Sequence, residues 1–477
     1  MSSVRVLLVV PDVESFPRPP APTSPHVGLA YLAAILEKNG HPVEILDLRL
    51  AGSAGKLHET LRAFRPELVG VSSYSIMYSA IYDLIREIKT TAGCRVVIGG
   101  PHVGSFGRRV LEESVCDVAV RGEGEYTMLD LCAGVPYKDI PGLIWRDGDT
   151  IVENERRTPI QDLDALPFPA YGKFELDKYL DKKLIIVSSR GCIKKCLYCT
   201  IRYTMGPQFR GRSPANIVDE IEYWYNSPRK YRFFQFSDDC FSADIGRAEA
   251  VCDEIINRGL RIGWELRNGI MVNRVDRRLL QKMKDSGCRL IAWGIESIHP
   301  EDLRNIKKGI TPNQVREALR ISHEVGIKNS GFFIVGLPGD TFEKFKKNFE
   351  FAKSLPLAEV RFYNTTPYPS TELYDWVNEK ARWLVPPETF LNDYHANCDE
   401  PSFETDEFPA ADRLKALHMG RKLVMQLILK NEFGPFVGTF AYQFLRIPLI
   451  EKPVLRAGAV VFGLWRRIGK LIGREPI

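Results

Sequence analysis

Cys192, Cys196 and Cys199 stand in one short loop, SSRGCIKKCLYCT at 188–200. Thiols at Cys-x3-Cys-x2-Cys spacing can hold metal once ionised, because the thiolate is the ligand. A tetrahedral zinc site closes with a fourth Cys or His at short spacing. Here the next histidine downstream is His299, and a disulfide would use two of the cysteines at most. An iron–sulfur cluster suits the count, since three thiolates leave one iron open. An open position is what a catalytic centre keeps and a structural one closes. The spacing therefore predicts a cluster whose fourth ligand is a substrate or cosubstrate. Gly191 lets backbone come close, Arg190, Lys194 and Lys195 bring positive charge, and Tyr198 lies between the last two cysteines. Cys240, Cys252 and Cys288 lack motif spacing and read as small buried hydrophobes, as do Cys94, Cys116, Cys132 and Cys398.

Such a loop needs a scaffold. At 477 residues the chain exceeds one ordinary core, and its length predicts roughly three domains. A hydrophobic fraction of 44% with 26% charged residues excludes a disordered chain. The net charge of +5, with no basic block before the last segment, argues against nucleic acid as a partner. MSSVRVLLVVPDVE puts a charge inside its apolar run and then a proline, which is not a secretory signal. A cytoplasmic, reducing location is expected, where clustered cysteines bind metal or do redox work. No run of about 18 apolar residues occurs, so no membrane span is expected.

The positioning elements follow from periodicity. VRVLLVV (4–10) is a continuous apolar run, as in a strand buried on both faces. PVEILDL, ELVGVSS, RVVIGG and DVAVRG read as further strands, with helical stretches such as 28–40 and 79–93 among them. That alternation predicts an α/β, doubly wound Rossmann-like sheet over 1–135, with ligands at the carboxyl ends of its strands. Ser72, Ser73, Gly99, Gly100 and the RGEGE stretch at 121–125 lie at those ends, as ligand loops or as plain turns. Residues 136–182 read as a linker with a hairpin at Asp147-Gly148. From 183 to 380 strands and helices alternate about six times, which predicts a partial (β/α)6 barrel with the cysteine loop after its first strand. Residues 381–477 are expected to be helical. FGLWRRIGKLIGR pairs Trp465 with Arg466, Arg467, Lys470 and Arg474, fitting either a helix on an anionic membrane surface or one docked on the barrel.

CIKKCLYC resembles the cluster motif of the radical SAM superfamily, with the usual aromatic before the third cysteine. The likeness continues through RGRSPANIVDEI, FSDDCF, WGIES and FFIVGLPGDT, over about residues 183–375. Residues 4–135, with HVGLAYLAAILEKNG, GVSSYS, VVIGGPH and VRGEGE, resemble the cobalamin-binding domain that precedes the barrel in one large subgroup. That subgroup includes methyltransferases acting on unactivated carbon or phosphorus, and the ring-forming cyclase of bacteriochlorophyll synthesis.

The resemblance implies three cofactors: a 4Fe-4S cluster on Cys192, Cys196 and Cys199, S-adenosyl-L-methionine (SAM) chelating the open iron, and cobalamin. Tyr198, from its place between the cysteines, can cover the cluster with its ring or meet a ligand with its backbone. The resemblance also implies that Asp238 and Asp239 hold the SAM amino group. Glu296 and Arg267 would reach toward its ribose or carboxylate, with Gly336 and Gly339 beside the adenine. Ser72, Ser73, Gly99 and Gly100 would take the cobalamin tail. The Asp-x-His-x-x-Gly pattern of histidine-ligated cobalt is not matched, because in SPHVGL the glycine follows His26 two residues on. The implied function is reductive SAM cleavage to a 5′-deoxyadenosyl radical and methyl transfer to an unactivated carbon of a small-molecule or lipid-like substrate. A reductase, flavodoxin or ferredoxin would be the electron donor. Two rivals stand beside it: a radical SAM cyclase or rearrangement enzyme with cobalamin absent or in another role, and an iron–sulfur electron carrier or regulatory protein. Aromatic density in YNTTPYPSTELYDW and the basic C-terminal region raise the expectation of peripheral membrane contact.

Overall fold

All five residues of β1 (Val6–Val10) are buried, as a continuous apolar run requires of a strand covered on both faces. It is an interior strand, between β2 and β3, of a sheet ordered β2-β1-β3-β4-β5-β6-β7. The partners are β2 (Val43–Asp47), β3 (Leu68–Ser72), β4 (Arg95–Gly99), β5 (Val118–Val120), β6 (Leu143–Asp147) and β7 (Thr150–Glu153). Pairing is parallel from β2 to β5. The hairpin β6–β7 forms at its Asp-Gly turn and extends this sheet antiparallel to β5. The order reverses between β1 and β3, so the loops after these strands diverge and leave a crevice at their carboxyl ends. The structure, a computed structural model, describes residues 3–13, 21–53, 55–393, 400–434, 436–438, 440 and 442. Trp465 and the basic residues around it, and Cys398, lie outside the described residues.

The second sheet has six parallel strands in order β15-β14-β13-β12-β11-β8. They are β8 (Lys183–Ile186), β11 (Phe233–Phe236), β12 (Gly263–Leu266), β13 (Cys288–Glu296), β14 (Lys328–Val335) and β15 (Glu359–Asn364). Short strands β9 (Ser189–Arg190) and β10 (Arg210–Gly211) pair beside β8. Each long strand is followed by helical structure, and the sheet curls into the expected partial barrel. Local sequence sets helix starts. Ser213 caps Pro214–Asn226 by accepting from the Asn216 amide, with Pro214 in the first turn, where its missing N–H costs nothing.

One apolar core runs through both sheets. It joins Val6 and Leu8 of the first sheet, helix Val27–Lys38, and Leu184, Phe234 and Trp264 of the second. Residues 160–179, expected as linker, contribute Leu163, Tyr171 and Phe174 to that core. Helix Ala410–Phe433 lies on the barrel: a Cβ on Gly420 would come within 2.8 Å of the Phe362 side chain on β15. The alternatives expected for FGLWRRIGKLIGR fall outside the described residues; among the described residues no helix is long and apolar enough to cross a membrane.

Candidate metal centre and cofactor cavity

The cysteine loop begins where β9 ends, and Gly191 makes its first turn possible. Gly191 sits at φ +80, and a Cβ there would be 2.1 Å from the Gln208 carbonyl oxygen. Its amide donates to Asp239 Oδ2 at 2.8 Å. The Cys199 amide donates to the Cys196 carbonyl at 3.1 Å, and the Leu197 amide to the Ile306 carbonyl at 3.2 Å. The loop is thus fixed by its backbone, leaving the three half-buried thiols free. Among the described residues no three such side chains converge on a single point, as one metal ion would require. Three thiolates from one loop suit a multi-iron cluster, which leaves one iron open.

Burial pushes the Cys196 thiol up and the Cys199 thiol up to about 11. Cys192 is drawn below the usual thiol range, chiefly by the neighbouring buried Cys240 thiol. Metal ligation needs thiolates, so positive charge near the loop matters. Arg190 does not provide it as expected. Its guanidinium donates to Glu123 Oε1 and Glu125 Oε1 of the first sheet, each at 2.7 Å, so its charge is neutralised. Lys308 takes that place. Its ammonium lies 2.8 Å from Glu296 Oε1 and 3.4 Å from Tyr198 Oη, and it favours ionisation of all three thiols. Nothing in its local sequence, NIKKGI, distinguishes it from a solvated lysine.

Tyr198 Oη also donates to Glu296 Oε1 at 3.0 Å, so Tyr198, Glu296 and Lys308 form one partly buried group beside the cysteines. Glu296 holds φ +64, a left-handed conformation uncommon for a side-chain-bearing residue. Asp238 is fully buried. Its two oxygens accept from the Ser188 amide at 2.7 Å, Ser188 Oγ at 2.5 Å and Ser189 Oγ at 2.7 Å. Asp239, its neighbour, lines the cavity described below, and burial raises its pKa to about 6. Arg267 pairs with Glu265 at 3.0 Å and Glu359 at 2.9 Å. Gly336 packs against the Arg413 guanidinium, and Gly339 lies beside Asn305; neither lines that cavity.

A cavity of about 340 Å³ lies between the carboxyl edge of the first sheet and barrel residues that include Ser189 and Arg190, just ahead of the cysteine loop; the three cysteines do not line it. One wall carries His26, Ser72, Tyr74, Gly99 and Gly100; the other carries Ser189, Arg190, Asp239 and Asn268. Ser73 is outside it, its hydroxyl donating to the Gly99 carbonyl at 2.8 Å. Gly100 has φ +114 and would place a Cβ 2.5 Å from the Ser73 carbonyl oxygen, so only glycine lets these two loops approach. His26 Nδ1 accepts from the Leu29 amide and caps its helix, while Nε2 lies 2.9 Å from Ser72 Oγ and 3.2 Å from Tyr74 Oη.

Comparison with known proteins agrees with both halves. The family description B12 binding domain matches residues 20–132, and Radical SAM superfamily matches residues 186–352. The chain is 32% identical over 393 residues to an uncharacterized methyltransferase of Pyrococcus horikoshii, covering 79% of this chain and 83% of that one. It is 27% identical over 439 residues to cytidylyl-2-hydroxyethylphosphonate methyltransferase of Streptomyces wedmorensis, covering 77% and 80%. In fold it resembles the radical S-adenosylmethionine methyltransferase TsrM of Kitasatospora setae, solved with cobalamin and a 4Fe-4S cluster. There the TM-score is 0.68 at 22% identity, covering 79% of this chain and 78% of that one. The chain belongs to the cobalamin-binding radical SAM family, whose cofactors are a 4Fe-4S cluster, SAM and cobalamin. It is a radical SAM enzyme of the methyltransferase kind, which removes the electron-carrier reading.

Proposed function

We propose that this enzyme transfers a methyl group to an unactivated carbon of a small-molecule or lipid-like substrate, with a reductase, flavodoxin or ferredoxin supplying electrons. The observation that carries this reading is the single cavity shared by the two sheets. Its first wall is the strand-end edge where a doubly wound sheet binds ligands, and its second leads to the cysteine loop. Bound there, the cofactors supply one-electron, radical and methyl-carrying chemistry.

The protein's own share is binding, orientation and exclusion of water. In this reading Cys192, Cys196 and Cys199 hold the cluster. Asp239 offers a carboxylate to an ammonium, which suits opposite charge. Ser72, Gly99 and Gly100 give room and polar contacts to the cobalamin tail. Glu296, oriented by Tyr198 and Lys308, faces SAM. Tyr363 on the barrel's last strand is 49% exposed, with its ring 5.5 Å from that of Phe332, and supplies an apolar rim for substrate.

The test is anaerobic reconstitution with iron, sulfide and hydroxocobalamin, followed by SAM, reductant and candidate acceptors. Corrinoid absorption with 5′-deoxyadenosine and S-adenosylhomocysteine is the expected result. 5′-Deoxyadenosine with no bound corrinoid would keep the radical chemistry and discard methyl transfer in favour of cyclisation or rearrangement.

A further inference from the structure

Lys308 is a partly buried cation placed by three independent features. The backbone of its turn is tied to the cysteine loop through the Leu197 amide and the Ile306 carbonyl, at 3.2 Å. Its ammonium is held by Glu296 at 2.8 Å and lies 3.4 Å from Tyr198, the residue between Cys196 and Cys199. The barrel strand makes room for the pair: a Cβ on Gly294 would lie 2.7 Å from Glu296 Oε1 and 2.8 Å from Lys308 Nζ. The Lys308 side chain is 19% exposed and that of Glu296 8%, so water screens the pair poorly.

The ammonium is placed at the loop by geometry: its turn is bonded to the Leu197 amide, and Nζ reaches Tyr198 Oη from the residue between Cys196 and Cys199. Arg190, nearer in sequence, is neutralised by Glu123 and Glu125.

We propose that Lys308, oriented by Glu296, is a positioning residue that raises the reduction potential of the cluster on Cys192, Cys196 and Cys199. Reduction adds one electron, and hence one negative charge, to a centre already ringed by thiolates. The electron comes from a low-potential one-electron donor. A fixed ammonium beside the loop stabilises the reduced form over the oxidised one, and Glu296 both holds that ammonium and partly offsets it. The proposal rests on the reading that the three cysteines bind a 4Fe-4S cluster.

The experiment is a redox titration of the reconstituted full chain without SAM, with titanium citrate as reductant and the reduced cluster followed by electron paramagnetic resonance. Removing one poorly screened unit charge in Lys308→Met is expected to leave about tenfold less reduced cluster at matched potential, a midpoint about 59 mV more negative for a one-electron couple. Lys308→Arg is expected to keep the wild-type midpoint. Glu296→Gln is expected to move it the other way, to less negative values. The opposite signs separate electrostatics from structural damage, which would not follow the charge removed. Wild-type iron content with an unmoved midpoint in Lys308→Met overturns the proposal, as do shifts of one sign in both variants. Should Lys308→Met not assemble a cluster, Lys308→Gln is titrated in its place, and an unmoved midpoint there overturns the proposal. Failure of the wild type itself to bind iron at the cysteines would instead overturn the cluster reading.

Discussion

Gly191 shows how much one residue carries. Its φ of +80 and the 2.1 Å that would separate a Cβ from the Gln208 carbonyl leave no space for alanine. Gly191→Ala is expected to prise β9 from β10 and move Cys192, so that the variant folds but reconstitutes with little iron. Iron analysis and the visible iron–sulfur absorbance check this. His26 gives a pH test on the first sheet's wall of the cavity. Burial, reinforced by Arg49, lowers its pKa from 6.5 to about 4. The unfolded chain then binds the proton more readily, so this contribution to stability is complete above pH 6.5 and is lost as pH falls toward about 4. Between pH 7 and pH 5 the wild type is expected to lose about 2 kcal/mol more than His26→Asn, which keeps a helix-capping acceptor. Urea denaturation of the apo-protein at both pH values measures the difference; parallel losses would show that His26 is not the group responsible. The cysteines were legible in the sequence because their spacing is local. Lys308 was not, because a turn more than a hundred residues downstream delivers it.

Elements meet here through charge as much as through apolar contact. The RGEGE loop after β5 reads in sequence as a strand-end ligand loop, and Glu123 does line the cavity. Its glutamates also reach across to the barrel. Glu123 pairs with Arg190 at 2.7 Å and Arg210 at 2.8 Å, and Glu125 pairs with Arg190 at 2.7 Å. All four side chains are 8% exposed or less, so a lost partner leaves a buried charge uncompensated. Glu125→Gln is expected to destabilise the chain by about 3 kcal/mol, and the double variant with Arg190→Gln to cost less than the sum of the two single changes. Denaturant titration of the four proteins measures the coupling; additivity would mean the pair is idle. The long strands and the helices between the barrel strands were readable, since periodicity and apolar runs are local properties, whereas the two-residue strands β9 and β10 were too short to show any. Which loop faces which was not readable, because an Arg–Glu pair across two sheets leaves no mark on either segment. The same limit explains residues 160–179, whose lack of periodicity suggested a linker although Leu163, Tyr171 and Phe174 belong to the core.

At the scale of the whole molecule, a strap closes the assembly. After β15 the chain turns back to the first sheet and places Phe390 and Leu391, both fully buried, in the core on that sheet's other face. The Met77 amide donates to the Leu391 carbonyl at 2.7 Å and Ser79 to Asn392 Oδ1 at 2.8 Å, while Arg109 pairs with Glu388 at 3.0 Å. On the way, the Leu373 amide donates to the Leu197 carbonyl at 3.1 Å, so the strap also braces the cysteine loop. The cavity is therefore held from two sides, by the shared core and by the strap. Phe390 stacks on Trp383 at 5.8 Å, and its truncation leaves a void that backbone pinned at both ends cannot fill. Phe390→Ala is expected to cost about 3–5 kcal/mol. It is also expected to release the strap before the sheets unfold, freeing the backbone at the already exposed Lys380 and Arg382 for trypsin at temperatures where the wild type resists. Limited proteolysis alongside thermal unfolding distinguishes the cases. Early cleavage at those two sites, with the remaining fragments still folded, means that the strap is a clamp on a preformed pair of sheets. Cleavage only at the melting temperature means that strap and sheets unfold as one unit, and that the cavity has no existence without it.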